Sequence, residues 1–139
     1  MRDATARRLS TVHRRLFRLS RGAVGRRLVD NDMLLLTTAG HRTGRLHTVP
    51  LLYVMDGDSP IVIASWGGRH DHPHWYANLV ADPAVMVQIR GRRFPATASP
   101  MAEPERSTWW AHVVDAYAGY AVYQSRTERR IPVVRLEPS

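Results

Sequence analysis

Between two apolar stretches, Met33 to Thr38 and Leu51 to Val54, runs Gly40-His41-Arg42-Thr43-Gly44-Arg45-Leu46-His47-Thr48-Val49-Pro50. The flanks read as strands, so this run holds the turn of a hairpin. Glycine admits positive φ, and successive main-chain N–H groups at such a turn can face one anion. Arg42, Thr43 and Arg45 add side-chain donors of the kind that bind phosphate. The chemistry on offer is anion binding. Taken alone this is a weak signal, because a basic hairpin turn is more often just solvated, so the reading depends on what lies downstream.

Two further blocks follow: Ala64-Ser65-Trp66-Gly67-Gly68 with His72-Pro73-His74-Trp75-Tyr76-Ala77-Asn78-Leu79, and then Tyr117-Ala118-Gly119-Tyr120-Ala121-Val122-Tyr123-Gln124-Ser125-Arg126-Thr127. In order and spacing the three blocks resemble the deazaflavin-dependent nitroreductase family, small oxidoreductases that use coenzyme F420, an 8-hydroxy-5-deazaflavin. The resemblance runs from about Met33 to Ile131-Pro132-Val133-Val134. It implies an α+β fold, a split β-barrel of the FMN-binding, pyridoxamine-phosphate-oxidase-like type with flanking helices. It also implies hydride transfer between the reduced deazaflavin and an electron-poor acceptor, an enone, quinone or nitro compound.

By the same resemblance, His41, Arg42 and Thr43 lie on the phosphate side of the coenzyme, with Arg45 beside them. His47, Thr48, Val49, Pro50, Leu51 and Leu52 line the next stretch. Ile63, Ala64, Ser65 and Trp66 border the ring, and His74, Trp75, Tyr76 and Asn78 close over it. Tyr117, Tyr120 and Tyr123 point at the substrate, where a phenol can hydrogen-bond the acceptor oxygen and deliver a proton as hydride arrives. Tyr120 is the first choice for that role. Two positions depart from the family. His47 stands where arginine is usual, and Trp66 where lysine is frequent; Arg45 can make good the first charge, and Trp66 can stack on a ring. One alternative is a biosynthetic or catabolic specialist of the same fold with altered, FMN or no cofactor use; another is a non-enzymatic basic module binding anionic membrane or nucleic acid.

Other features have plainer readings. The three tyrosines recur every third residue, which by spacing alone is an aromatic seam packing a helix on the barrel. His70-Asp71-His72-Pro73-His74 contains metal-ligand residue types, but Pro73 redirects the chain between the last two histidines, and no cysteine or HExxH-type partner exists. No metal is expected; His74 opens a helix, and His70 and His72 belong to an exposed loop.

The elements that position these groups follow from periodicity. Strands are expected at 33–38, 46–55, 61–65, 84–90, 92–99 and 131–136, and helices at 73–79, 103–117 and 120–126. Asp56-Gly57-Asp58-Ser59-Pro60 is a turn, and Gly91 makes a tight hairpin of its two neighbouring strands. Residues 4–20 fit an amphipathic helix, with Leu9, Val12, Leu16 and Leu19 on one stripe. The chain of 139 residues thus divides into a basic helix and lead-in, 1–32, and a cofactor-binding barrel, 33–139.

The formal net charge is +8. Residues 1–27 carry all of it, nine arginines against Asp3, while the remainder balances eleven arginines with eleven acids. An arginine-rich amphipathic helix suits an anionic membrane surface, and no nucleic-acid motif is present, so nucleic acid is not expected as a partner. With no cysteine, no apolar run near the ~20 residues of a membrane span and no leader pattern at the N-terminus, the expected location is the cytoplasm, at most peripheral on the membrane. The expected partner is a small lipophilic or aromatic molecule. Nothing in the sequence sets the oligomeric state.

Overall fold

A computed structural model describes residues 33–139. The helix expected at 4–20, and the whole 1–32 segment, lie outside the described residues. In chain order the elements are β1 (Met33–Ala39), β2 (Leu46–Leu52), β3 (Val54–Asp56), β4 (Ser59–Ile63), a 3-10 turn (Trp66–Gly68), α1 (His74–Ala81), β5 (Ala84–Ile89), β6 (Arg92–Pro100), α2 (Glu105–Ala116), α3 (Gly119–Ser125) and β7 (Val133–Pro138).

The strands form one seven-stranded antiparallel sheet in the order β2-β1-β5-β6-β7-β4-β3. β2 and β3 are its two edges, yet only Tyr53 separates them in the chain. Laid flat, those edges would stand about 29 Å apart at ~4.8 Å per strand. A single residue spans only ~3.6 Å. The sheet therefore has to curl until its edges meet, which makes a split barrel.

The curled sheet separates two cores. Leu34, Leu36, Val62, Val87, Val134 and Leu136 fill the inside, while Ile61, Ile63 and Val133 point outward beneath Val113, Tyr120 and Ile131. β4 is buried along its whole length, which is why Ile61-Val62-Ile63 is continuously apolar rather than alternating. α1 closes one end of the barrel by sinking Trp75 and Leu79, four residues apart on one helical face, into the inner core.

Several boundaries shift from expectation. The strand expected at 46–55 breaks at Tyr53, where the chain crosses from one sheet edge to the other. The last strand begins after Pro132, at Val133, instead of at 131. α1 continues to Ala81 and stops at Asp82, which is extended (φ −139°, ψ 102°) because Pro83 disfavours helix in the residue before it. The turn before β4 needs only Gly57 and Asp58, Gly57 at φ 62°.

Candidate functional site

The Gly40–Arg45 turn is held from below. The Oδ1 of Asn78 accepts from the main-chain N–H of His41 at 3.0 Å and from its Nδ1–H at 2.7 Å. The Nδ2 of the same amide donates to Thr38 Oγ1 at 3.1 Å. Asn78, 3% exposed, thus ties the turn, β1 and α1 together. The imidazole of His47 lies over Gly40, where a Cβ would come within 3.1 Å of Nε2.

The expected cradle of consecutive N–H groups is mostly closed. Gly40 N–H donates to Arg45 O, Gly44 N–H to Gly40 O, His41 N–H to Asn78, and Arg45 N–H to Thr43 Oγ1. Of the two glycines only Gly44 has positive φ, at 72°. The main-chain N–H groups of Arg42 and Thr43 take no partner among the described residues. Capacity for an anion at this turn rests chiefly on the exposed side chains of Arg42 and Arg45.

Along β2 the side chains alternate. Val49 and Leu51 pack on the inner core and Leu52 on the outer one, while Pro50 is exposed and pairs across from Leu35. Thr48 shares a 2.6 Å hydrogen bond with Thr37 across the strand pair. At the end of β4, Ile63 turns outward and Ala64 inward, both buried. Side-chain contact with a bound ring is thus left to the exposed face of the sheet and to the loop that follows.

That loop takes an unusual path. Ser65 is right-handed helical (φ −81°, ψ −40°), and then Trp66 (φ 46°), Gly67 (φ 62°) and Gly68 (φ 79°) are all left-handed. Tryptophan seldom adopts this region, so the surroundings have to impose it. Gly68 presses against α3, where a Cβ would stand 2.4 Å from Tyr123 O. Arg129 grips the loop from behind: it donates to Ala64 O (3.1 Å), Ser65 O (2.6 Å) and Arg69 O (2.9 Å). Its Nη1 also donates to His72 Nδ1 at 2.9 Å. Gln124 holds Arg129 in place, donating to its carbonyl at 2.8 Å and accepting from Ile131 N–H at 3.0 Å.

The tyrosines divide between elements. Tyr117 caps α2 and the other two lie on α3, yet they stack edge to face in a row, with ring centres 6.2 and 5.9 Å apart. Tyr120 is 8% exposed and belongs to the outer core. Burial, with smaller contributions from Tyr117 and Tyr123, pushes its pKa up to about 12. At neutral pH it is a protonated hydrogen-bond donor and a poor acid. Tyr117 and Tyr123 are half-buried, and Tyr117 donates to Tyr53 O at 3.5 Å.

The structure thus brings together the Gly40–Arg45 turn, α1, the Ser65–Gly68 loop and α3. Trp66 and His74 stack with ring centres 5.6 Å apart, and Arg69 lies over the Trp66 ring. Val49, Leu51 and Trp75 face into the core instead. His72, expected in an open loop, is exposed but bonded to Arg129 and stacked on Tyr76. Arg129 and Thr38 carry no signal in the sequence, one being among four arginines in the last fourteen residues and the other a threonine in a strand. An open cleft of ≈ 790 Å³, lined by Tyr53, Met55, Ile89, Arg92, Phe94 and Tyr117 among others, lies toward the opposite end of the barrel. Of the expected site residues it includes only Tyr117. Among the described residues no three of His, Cys, Asp and Glu converge as a metal site would require.

The exposed donors near this rim, Arg42, Arg45, Arg69 and Arg126, are the right chemistry for a phosphorylated, anionic coenzyme. The barrel itself is shared widely: a Listeria innocua protein described as a candidate pyridoxamine 5′-phosphate oxidase superposes with a TM-score of 0.56 at 12% identity, covering 81% of this chain and 87% of that one. That likeness defines the class as a split-barrel fold. The family is more specific. Residues 9–138 match the F420H2-dependent quinone reductase family, and the chain belongs to it. It is 39% identical over 132 residues to an F420H2-dependent quinone reductase of Mycobacterium tuberculosis strain H37Rv, covering 92% of this chain and 89% of the relative. It is similar also to the solved F420H2-dependent reductase FDR-A, with a TM-score of 0.70 and 40% identity over 76% of this chain and 93% of that one. The protein is an F420-dependent oxidoreductase acting on a small molecule.

Proposed function

We propose that this chain reduces quinones with F420H2. Arg42, Thr43 and Arg45 would hold the phosphate side of the coenzyme, the Thr48–Leu52 and Ser65–Trp66 main chain would border its ring, and the tyrosine row would orient the acceptor. The observation that carries this is the Asn78 junction, which fixes the arginine-bearing turn to the helix whose first residue stacks on Trp66. The names of the relatives support a quinone as the acceptor. When bound, the reduced coenzyme supplies the hydride; the chain's own work is to bind, orient and hydrogen-bond. Tyr120, neutral and buried, serves as a fixed donor or as the packing centre that aims Tyr117 and Tyr123.

Arg42→Ala removes a charge-assisted contact worth ~1.5–3 kcal/mol, so F420 affinity should fall at least about tenfold. An unchanged dissociation constant would remove this turn from the site. The arginines of residues 1–27 are proposed to place the protein on anionic lipid at the cytoplasmic face, within reach of membrane-dissolved quinones. Co-sedimentation with anionic vesicles at low salt, lost on deleting residues 1–27, tests that placement; equal sedimentation of the full and truncated chains contradicts it.

A further inference from the structure

We propose that the main-chain N–H groups of Ser65, Trp66 and Gly67 form a binding site for a single anionic oxygen, and that Arg129 charges this site from behind through two peptide groups. The inference rests on the reading that coenzyme and acceptor meet at this loop.

The conformation comes first. A right-handed residue followed by left-handed ones turns consecutive N–H groups toward a common concavity that suits an anion. Ser65, Trp66 and Gly67 follow that order. The later N–H groups of the loop are engaged, Gly68 to Ser65 O and Arg69 to Trp66 O, and Ala64 N–H donates to Pro132 O. Those of Ser65, Trp66 and Gly67 have no partner among the described residues. Ser65 is itself buried, where an unpaired donor is costly unless a ligand or water meets it.

The second observation is independent of the first. Arg129 donates to Ala64 O and to Ser65 O. Those two carbonyls belong to the peptide groups whose other ends are the Ser65 and Trp66 N–H groups. In a trans peptide the C=O and N–H point in opposite directions. A guanidinium on both carbonyls therefore polarises both N–H groups away from itself, in the sense that strengthens each as a donor. Its third bond, to Arg69 O, anchors the far side of the left-handed stretch. Arg129 so fixes the shape of the concavity and supplies its charge without touching the ligand, which makes it a positioning residue. Gln124 aims it from α3, and Gly68 seats the loop against Tyr123. The oxygen bound here belongs either to the coenzyme or to the acceptor as it gains negative charge on accepting hydride.

The test uses the full chain, with F420 titrations followed by fluorescence and, separately, quinone reduction under saturating F420H2. Ser65→Pro deletes one N–H at a residue whose φ of −81° suits the proline ring, and Ser65→Ala keeps that N–H as the control. Ser65→Pro should weaken the site about tenfold relative to Ser65→Ala, and Arg129→Gln about tenfold relative to the unaltered protein, in each case the loss of one charge-assisted hydrogen bond. A fall in F420 affinity without acceptor assigns the oxygen to the coenzyme; a fall in kcat at unchanged F420 affinity assigns it to the acceptor. Trp66→Lys added to Arg129→Gln should recover most of the loss by bringing a cation to the same oxygen directly, which a merely structural role for Arg129 would not permit. Should Ser65→Pro fail to fold, that rescue decides alone. Unaltered affinity and unaltered kcat in folded Ser65→Pro, or no rescue by Trp66→Lys, overturns the proposal. F420 binding by the unaltered protein and its loss in Arg42→Ala are read separately, so the cofactor reading can stand when this site falls.

Discussion

Asn78→Ala is the substitution whose consequences the structure specifies most fully. The amide makes three hydrogen bonds, two to His41 and one to Thr38, across chain separations of 37 and 40 residues. A typical intramolecular hydrogen bond contributes ~0.5–1.5 kcal/mol net. Thr38 is fully buried, so its hydroxyl loses a partner that water cannot easily replace, and the upper end of that range applies. His41 is exposed, so solvent recovers most of its two bonds. The sum is about 2 kcal/mol, which for a chain of this size lowers Tm by roughly 6–10 °C. The same change frees the Gly40–Arg45 turn from α1, so F420 affinity should drop although Asn78 carries no charge. Thermal unfolding followed by circular dichroism, with an F420 titration at 25 °C, measures both. Asn78→Asp, which retains the acceptor oxygens facing His41 but not the amide donor toward Thr38, should lose stability with less loss of affinity. Wild-type Tm and wild-type affinity in Asn78→Ala would refute the idea that this junction builds the site.

Gly68→Ala forces a Cβ into Tyr123 O at a φ that side chains avoid; it should destabilise the protein by about 2–4 kcal/mol, read from denaturant unfolding, and a change below ~0.5 kcal/mol would mean the loop is not seated on α3. His72 has its pKa lowered, first by burial and then by the charge of Arg129, so the folded state favours the neutral ring that accepts from Arg129. As pH falls through the ordinary value of 6.5, the unfolded chain takes up its proton first, so stability should decline from there downward. His72→Gln should flatten that part of the Tm–pH profile, and an identical slope in the variant would remove His72 from the linkage. Tyr123→Phe and Tyr120→Phe separate orientation from packing: loss of quinone turnover at intact F420 affinity in either variant marks the hydroxyl that faces the acceptor, and normal turnover in both leaves the row a packing seam.

The pieces of the site could be read from the sequence more readily than its joints. The Gly40–Arg45 turn stood out because glycines and arginines are concentrated between two strands. Yet glycine's freedom is used only at Gly44, and most of the turn's N–H groups are consumed internally. Asn78 and His41 were both legible as site residues, whereas the bond between them depends on how α1 caps the barrel, which no local pattern encodes. The left-handed path of Trp66 could not be foreseen, because tryptophan has no propensity for it; Arg129 and the packing of Gly68 on α3 impose it from distant parts of the chain. Burial of both faces of β4 was implicit in the continuous apolar character of Ile61-Val62-Ile63. The decisive feature of closure, the single residue Tyr53 joining the two edge strands, depends on the strand order of the whole sheet rather than on any local pattern. Tyr120 shows the reverse case: its spacing suited both catalysis and packing, and its burial weights it toward a fixed, neutral phenol.

The central claim is that this barrel binds reduced F420 and passes its hydride to a quinone. Anaerobic mixing of F420H2-loaded protein with a quinone, followed at the absorbance band of the oxidised deazaflavin, tests it most directly. The band should return at a rate proportional to protein concentration, Arg42→Ala should slow its return at subsaturating coenzyme, and FMN in place of F420 should support no quinone reduction. Return of the band no faster than in the absence of protein, or tighter binding of FMN than of F420, would contradict the claim.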